Sequence, residues 1–457
     1  MDKRLESDSI GTLEVPENAY YGVQTLRGYN NFRITGSPAN YNFILNIVKI
    51  KKAAALVNEE VGSLDKERSQ AIVKACDEVL NGALKDAFIT DAIQGGAGTT
   101  FNMNVNEVIA NRATEILGGK KGEYLVHPND HVNCSQSTND VIPSAGKLTV
   151  LDLAAELLNS LKTLIDELNK KAKDFDGILK MGRTQLEDAV PIRLGQEFGA
   201  YACALQRNYD RIMGVMDEMR SLNLGGTAIG TAINAKREYV KEITKKLSEI
   251  TGYSLSGAIN LIDATQNVDS FSLVSGYLKA LAINLSKMCN DFRLMASGPK
   301  TGFEEINLPA MQNGSSIMPG KVNPVIPEVV SQVAFSVIGN DMTIAMAAEG
   351  GQLELNAFEP VIFYKLFESF ICLKNAMDTL TENCVKGITA NKERCEELVF
   401  NSIGIVTALT PYLGYKKSAE IAKEALKKNK RIKDLVLEYG LMDKDKIEEV
   451  LNPYSMT

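Results

Sequence analysis

A mainly α-helical protein with a central bundle of five long helices is predicted by three observations. Apolar residues recur at spacings of three and four over stretches longer than an ordinary globular helix. The 13 prolines gather near segment boundaries and leave those stretches uninterrupted. Strand-like alternation is confined to brief pieces.

Along the chain, shorter helices are predicted over 41–61, 65–83 and 104–118, within a mixed, mostly helical N-terminal domain of residues 1–138. The first long helix is the clearest. Ala154, Leu157, Leu158, Leu161, Leu164, Ile165 and Leu168 lie at helical spacing with Asp, Glu, Lys and Asn between them, so one face is apolar. Comparable patterns cover 187–221, 263–297, 325–349 and 358–386. Each long stretch holds about 25–35 residues, spans about 40–50 Å and needs parallel neighbours. The bundle accordingly occupies 139–390, and a small helical domain fills 391–457. Between Lys416 and Lys433, eight Lys/Arg residues alternate with Glu420 and Glu424 at helical spacing, which reads as a solvated helix face.

A chain of 457 residues with 45% apolar content can bury a continuous core, which excludes disorder. Its 50 Lys/Arg against 57 Asp/Glu leave a formal charge of −7, so no nucleic acid or anionic membrane surface is expected as partner. An anionic ligand must be captured by local donors. The seven cysteines form no CxxC pair and fit core thiols in a reducing compartment better than a disulfide framework or zinc site. No apolar stretch follows the N-terminal Met-Asp-Lys-Arg, and no segment reads as about 18 mostly apolar, uncharged residues. A cytoplasmic protein without a membrane span is the expectation.

The only histidines, His127 and His131, flank Pro-Asn-Asp, and the proline argues against a helical zinc pair. With histidine this scarce, Ser-His-Asp catalysis loses its base. Phosphate-loop and dinucleotide fingerprints are missing too. What stands out is a set of polar loops at the mouths of the predicted long helices. They are Gly95–Asn104, Ser135-Gln136-Ser137-Thr138-Asn139-Asp140, Gly182-Arg183-Thr184-Gln185, and Gly225–Thr231, which reads as a structural turn. A helix N-cap is the plainer reading of Ser135–Asp140, whose hydroxyls and N–H groups would also suit a carboxylate. Richest is Gly314-Ser315-Ser316-Ile317-Met318-Pro319-Gly320-Lys321-Val322-Asn323-Pro324, with glycines that permit backbone excursions and a lysine and amide that can grip a carboxylate. A mobile anion-binding loop at 314–324 is expected.

That last segment resembles the signature of the aspartase/fumarase superfamily, an all-helical lyase family. The likeness runs from Val15-Pro16-Glu17-Asn18-Ala19-Tyr20-Tyr21-Gly22-Val23-Gln24-Thr25 to Asn401-Ser402-Ile403-Gly404-Ile405-Val406-Thr407 and so covers nearly the whole chain. Tyr20-Tyr21-Gly22-Val23, Gly96-Ala97-Gly98-Thr99, Gly182–Gln185 and Pro324-Val325-Ile326-Pro327-Glu328 resemble the ammonia-eliminating branch rather than the class II fumarases. The resemblance implies a three-domain subunit in a homotetramer, with a shared twenty-helix core and active sites built from three subunits. It implies reversible, cofactor-independent elimination of ammonia from L-aspartate to give fumarate. Some relatives respond to Mg²⁺, for which no metal-ligand spacing is seen here. A class II fumarase is the rival, and a helical scaffold that has lost activity is a third possibility.

The resemblance also assigns roles. Ser315 would be the general base on the carbon next to the β-carboxylate. Thr99, Ser137, Thr138, Asn139 and Thr184 would bind the carboxylates and amino group, with Ser316, Lys321 and Asn323 joining from the loop. Removing a weakly acidic C–H proton builds an aci-carboxylate dianion, so donors must be aimed at the developing charge. Gln185 stands where fumarases pair a histidine with a glutamate, here Glu328. Glutamine cannot exchange protons near neutral pH, and ammonia leaving from a protonated amine needs no general acid. Gln185 therefore fits a deaminating enzyme, and Glu328 becomes a structural partner or relay. His127-Pro-Asn-Asp resembles the fumarases' secondary carboxylate site.

Overall fold

The computed structural model describes residues 2–457. Strand β1 (Lys3–Asp8) pairs antiparallel with β2 (Gly11–Pro16), Lys3 opposite Pro16. Helices α1 (Val23–Asn31), α2 (Tyr41–Glu60), α3 (Lys66–Leu80) and α4 (Thr99–Ile116) precede the long α5 (Thr138–Asp174). Strands β3 (Leu179–Thr184) and β4 (Glu187–Arg193) form a hairpin that leads into α6 (Leu194–Val215). Then come β5 (Ser221–Leu222), α7 (Arg237–Thr251), β6 (Ser256–Gly257), α8 (Asp263–Gln266) and α9 (Asp269–Met295). After β7 (Ile306–Asn307) follow α10 (Val325–Glu349) and α11 (Glu359–Asn383). The chain closes with β8 (Thr389–Ala390), α12 (Lys392–Asn401), α13 (Thr410–Lys428), α14 (Ile432–Glu438) and α15 (Lys444–Val450). The mainly α class with five long helices is borne out. These five, α5, α6, α9, α10 and α11, hold 37, 22, 27, 25 and 25 residues.

Three boundaries differ from expectation. Residues 187–193 are strand rather than the start of a helix, because Pro191 offers no N–H to a helix interior but is tolerated in a hairpin. The expected 263–297 helix breaks at Asn267, whose backbone is extended (φ −103°, ψ 135°). Helix α4 begins at Thr99 rather than 104, because Gly96, Ala97 and Gly98 all take positive φ and turn the chain into its first turn. The expectation that no segment has the length and apolarity of a membrane span is also corrected. By length and composition α10 has both, and only a third of its most apolar window is buried. Its interior charge, Asp341, accepts from Ser275 (2.8 Å) and pairs with Lys279.

The chain groups into two compact units whose borders fall inside long helices. The first unit comprises residues up to 158, 211–280 and 336–372. An aromatic seam holds it: Phe43 of α2 meets Phe101 of α4 edge-on (5.5 Å) and Phe363 of α11 (5.4 Å), and Phe363 meets Phe271 of α9 (5.1 Å). Gly146 of α5 lies beneath this seam, where a Cβ would stand 2.4 Å from the Phe363 ring. The second unit comprises 159–210, 281–335 and 373–457. There Phe198 of α6 stacks on Phe292 of α9 (5.5 Å), and Val399, Leu409, Ile421, Leu435 and Ile447 make a separate C-terminal cluster. On α13 and α14, Lys417, Lys428 and Lys433 pair with Glu420, Glu424 and Glu448, as a solvated face requires.

One buried carboxylate in the first unit makes no hydrogen bond among the described residues. Glu359 opens α11 at 1% exposure, and neither carboxylate oxygen has a hydrogen-bond partner among the described residues. Burial pushes its carboxyl well above the usual range, with Lys147 opposing. A carboxyl whose folded pKa is raised adds stability that is complete below its unfolded pKa and lost as pH rises. Glu359→Gln is therefore expected to flatten the decline of the thermal midpoint as pH rises above the ordinary carboxylate range, and to raise the midpoint on the alkaline side. Calorimetry of both proteins across that rise in pH checks this, and equal pH slopes would refute it.

Candidate active site

In the first unit two helix N-termini lie side by side. Gly98, at φ +82°, precedes α4 without a side-chain cap, so the first turn presents the exposed Thr99, whose hydroxyl donates to Gly96 O (2.7 Å). A Cβ on Gly98 would stand 3.0 Å from Ile142 in the second turn of α5. Asn102, one turn into α4, donates to Thr138 Oγ1 (3.4 Å) at the start of α5 and to Asn133 Oδ1 (3.1 Å). The structure thus gathers Thr99, Ser137, Thr138 and Asn139 at adjoining helix starts, where unpaired N–H groups favour anions. The plainer reading of Ser137 is also realised. Its hydroxyl accepts from Asn139 N (3.2 Å), and Asp140 Oδ1 accepts from Ser137 N (2.9 Å), closing a capping box.

Beneath this loop lies a charged network that sequence reasoning missed. Lys51 of α2 is 0% exposed and donates to Asn133 Oδ1 and Gln136 Oε1, both at 2.9 Å. Burial pulls its ammonium down to about 7, against the attraction of Asp140. Burial raises the Asp140 carboxyl to about 6, opposed by N–H donors from Ser137, Thr227 and Gly225. Asp140 Oδ2 accepts from Gly225 N (2.9 Å) and Thr227 N (3.1 Å), and Asn139 Nδ2 donates to Ala228 O (2.7 Å). The Gly225–Thr231 turn is the structural turn expected, and it braces Asn139. A signal for Lys51 does exist: it falls on the apolar stripe of α2 with Ile44, Ile47 and Ala55, where a solvated lysine has no place.

A cavity of ≈ 560 Å³ opens beside Thr99, lined among others by Gln24, Arg27, Thr100, His127 and Asn129. His127 caps a five-residue π turn, its Nδ1 accepting from Asn129 N (3.3 Å) and Asp130 N (3.2 Å). No group of three or more His, Cys, Asp or Glu with metal-holding geometry exists among the described residues.

The second unit carries the remaining candidates on two pieces. Thr184 and Gln185 stand exposed at the tip of the β3–β4 hairpin, where Gln185 (φ 57°) and Leu186 (φ 67°) form a type I′ turn without glycine. The loop of residues 314–324 closes on itself. Gly314 N donates to Lys321 O (2.8 Å), and Asn323 Nδ2 donates to Gly314 O (2.7 Å). A Cβ on Gly314 would stand 2.7 Å from the Lys321 carbonyl oxygen, so glycine is required there. The Ser315 hydroxyl oxygen accepts from Ile317 N (3.2 Å) and Met318 N (3.0 Å). Ser316 and Lys321 are exposed, Asn323 is half-buried, and Glu328 sits in the first turn of α10. Among the described residues no carboxylate pairs with Lys321, and no hydrogen bond joins Thr184 or Gln185 to this loop.

Within the first unit, hydroxyls, amides and two helix N-termini lie together, a composition suited to holding a small polyanion. A model of the family described as Lyase matches residues 11–339, and one described as Fumarase C C-terminus matches 405–457. The chain belongs to this lyase family, the aspartase/fumarase superfamily, and is an enzyme of the lyase class. An aspartate ammonia-lyase of Helicobacter pylori is 54% identical over 456 residues, covering 99% of this chain and 97% of that protein. The crystal structure of a fumarate lyase:delta crystallin from Brucella melitensis bound to cobalt superposes with a TM-score of 0.97 at 47% identity, covering 100% of this chain and 99% of that one. A class II fumarase from Schistosoma mansoni gives 0.96 at 36% identity, covering 100% and 99%.

Proposed function

We infer that this enzyme eliminates ammonia reversibly from L-aspartate to give fumarate. The observation that carries the reading is full-length identity of about half to aspartate ammonia-lyases, against 36% to the class II fumarase. In this reading Ser315 removes the proton next to the β-carboxylate. Its oxygen receives two backbone N–H groups, which favour the ionised alcohol once closure excludes water. Lys321 and Asn323 stabilise the aci-carboxylate, Ser316 assists, and Thr99, Ser137, Thr138, Asn139, Thr184 and Gln185 hold the carboxylates and amine. The protonated amine then leaves without a general acid, so Glu328 carries no relay and no cofactor takes part.

A homotetramer completes the reading. Phe335, Met342 and Met346 of α10 are 64%, 64% and 67% exposed on an otherwise apolar helix, a face that a second copy of the same helix would cover. All seven cysteines are unpaired, which supports a cytoplasmic enzyme. Following fumarate absorbance with L-aspartate or malate as sole substrate tests the assignment. Fumarate from aspartate and none from malate is expected, and formation from malate alone would make the enzyme a hydratase.

A further inference from the structure

A buried ion cluster in the second unit joins the β3–β4 hairpin to the segment that leads towards the Ser315 loop. Glu305 is 0% exposed, and its Oε1 accepts from Arg183 Nη1 at 2.6 Å. Lys180, 4% exposed, places its ammonium 3.0 Å from Glu197 Oε2 and 3.5 Å from Glu305 Oε2. The Arg183 guanidinium lies 4.1 Å from the centre of the Phe303 ring and donates to Met181 O (3.1 Å), so its plane is held from three sides. Glu305 is fixed as firmly: its N–H donates to Met295 O (2.8 Å), and its carbonyl accepts from Asn391 N (2.9 Å).

The sequence positions of the two partners give the cluster its meaning. Arg183 immediately precedes Thr184 at the hairpin tip, across an irregularity in the β3–β4 register between Met181 and Arg183. Glu305 opens the anchored segment that runs through β7 to Pro309, and the Ser315 loop begins five residues further on, at Gly314. Pro309 is itself pinned, since a Cβ on Gly387 would stand 2.5 Å from its ring. We infer that Arg183 and Glu305 are positioning residues whose ion pair ties the hairpin tip and the stem of the Ser315 loop to one common point. The inference rests on the aspartate-lyase reading for its catalytic consequence, but not for the mechanical link. A buried ion pair gains little stability over apolar packing of the same volume, whereas its directional geometry restricts where both segments can sit. Misplacing a binding group by about 1 Å can cost about 100-fold in rate.

The test compares Arg183→Met, Arg183→Lys, Glu305→Gln and the double variant Arg183→Met/Glu305→Gln. The double variant leaves no orphaned buried charge, because Lys180 keeps Glu197. Amide hydrogen exchange of the ligand-free proteins is read over 182–187 and 309–323. Arg183→Met is expected to speed exchange across 309–323 about tenfold, and Glu305→Gln across 182–187, with Arg183→Lys intermediate. With L-aspartate, kcat should fall about 30-fold or more in the double variant while KM moves less than about threefold. Exchange that rises only in the substituted segment, or in neither, overturns the inference, as does an unchanged kcat in the folded double variant. Failure of the double variant to fold overturns it as well, since the pair would then be needed for folding itself. Wild-type enzyme that released no fumarate would sink the functional reading alone, because the exchange experiment contains no substrate.

Discussion

Ser315→Ala is expected to leave a folded, assembled enzyme whose kcat for fumarate release falls by about 10²–10⁴-fold, the usual contribution of a positioned general base. KM should stay within about threefold, because the carboxylates are held by other residues. The reasoning starts from two backbone N–H groups. Ile317 N and Met318 N both point at the Ser315 oxygen, an arrangement that leaves the neutral alcohol nearly unchanged but favours an alkoxide. Lys321→Met should act differently, weakening substrate capture as well as turnover, because an exposed cation that pairs with no carboxylate among the described residues is available to the ligand. Unchanged turnover in a well-folded Ser315→Ala protein would remove the catalytic assignment.

Phe335→Glu/Met342→Glu is expected to give subunits with native far-ultraviolet circular dichroism that sediment as monomers or dimers, with activity reduced about 100-fold or more. Both side chains are about two-thirds exposed, so in the isolated chain their replacement leaves no cavity. In an assembly they would place carboxylates in an apolar contact, at a cost of several kcal/mol for each unpaired charge. Activity should fall with assembly if neighbouring chains complete the site. Mixing Ser315→Ala with Thr99→Ala subunits supplies the second arm. If each site draws on more than one chain, mixed oligomers regain a fraction of wild-type rate that neither parent shows. A double glutamate variant that remains fully active as a monomer would end the shared-site reading.

The polar segments were legible because their chemistry is local. Hydroxyls and amides at 99, 137–139 and 184, and the lysine and asparagine at 321 and 323, stand out as sequence. The structure then places the first two groups at adjoining helix starts. The long helices were legible for the same reason: α10 and α11 lie at 325–349 and 359–383, almost where the apolar repeat puts them. The strand at 187–193 was not, although Val190 and Ile192 alternate as a strand does, because so short a piece merges with the apolar repeat of the helix that follows unless Pro191 and the left-handed Gln185–Leu186 turn are considered together. Helix α4 starts early for a related reason, since three successive positive-φ residues, not apolar spacing, set its first turn.

Sequence alone determined the helical class, the lyase family and the inventory of hydroxyls, amides and cation from which the site is drawn. Only tertiary structure decided which charges are buried: Lys51 beneath the carboxylate loop, Asp140 bracing the 225–227 turn, Glu359 without a hydrogen bond among the described residues, and Glu305 between Lys180 and Arg183. The physical reason is one of range. Periodicity and capping depend on neighbours within one or two helical turns, so they are written in short stretches of chain. The desolvation that pulls the Lys51 ammonium down to about 7 depends on atoms contributed by segments far away along the chain, and comes into being only when they pack.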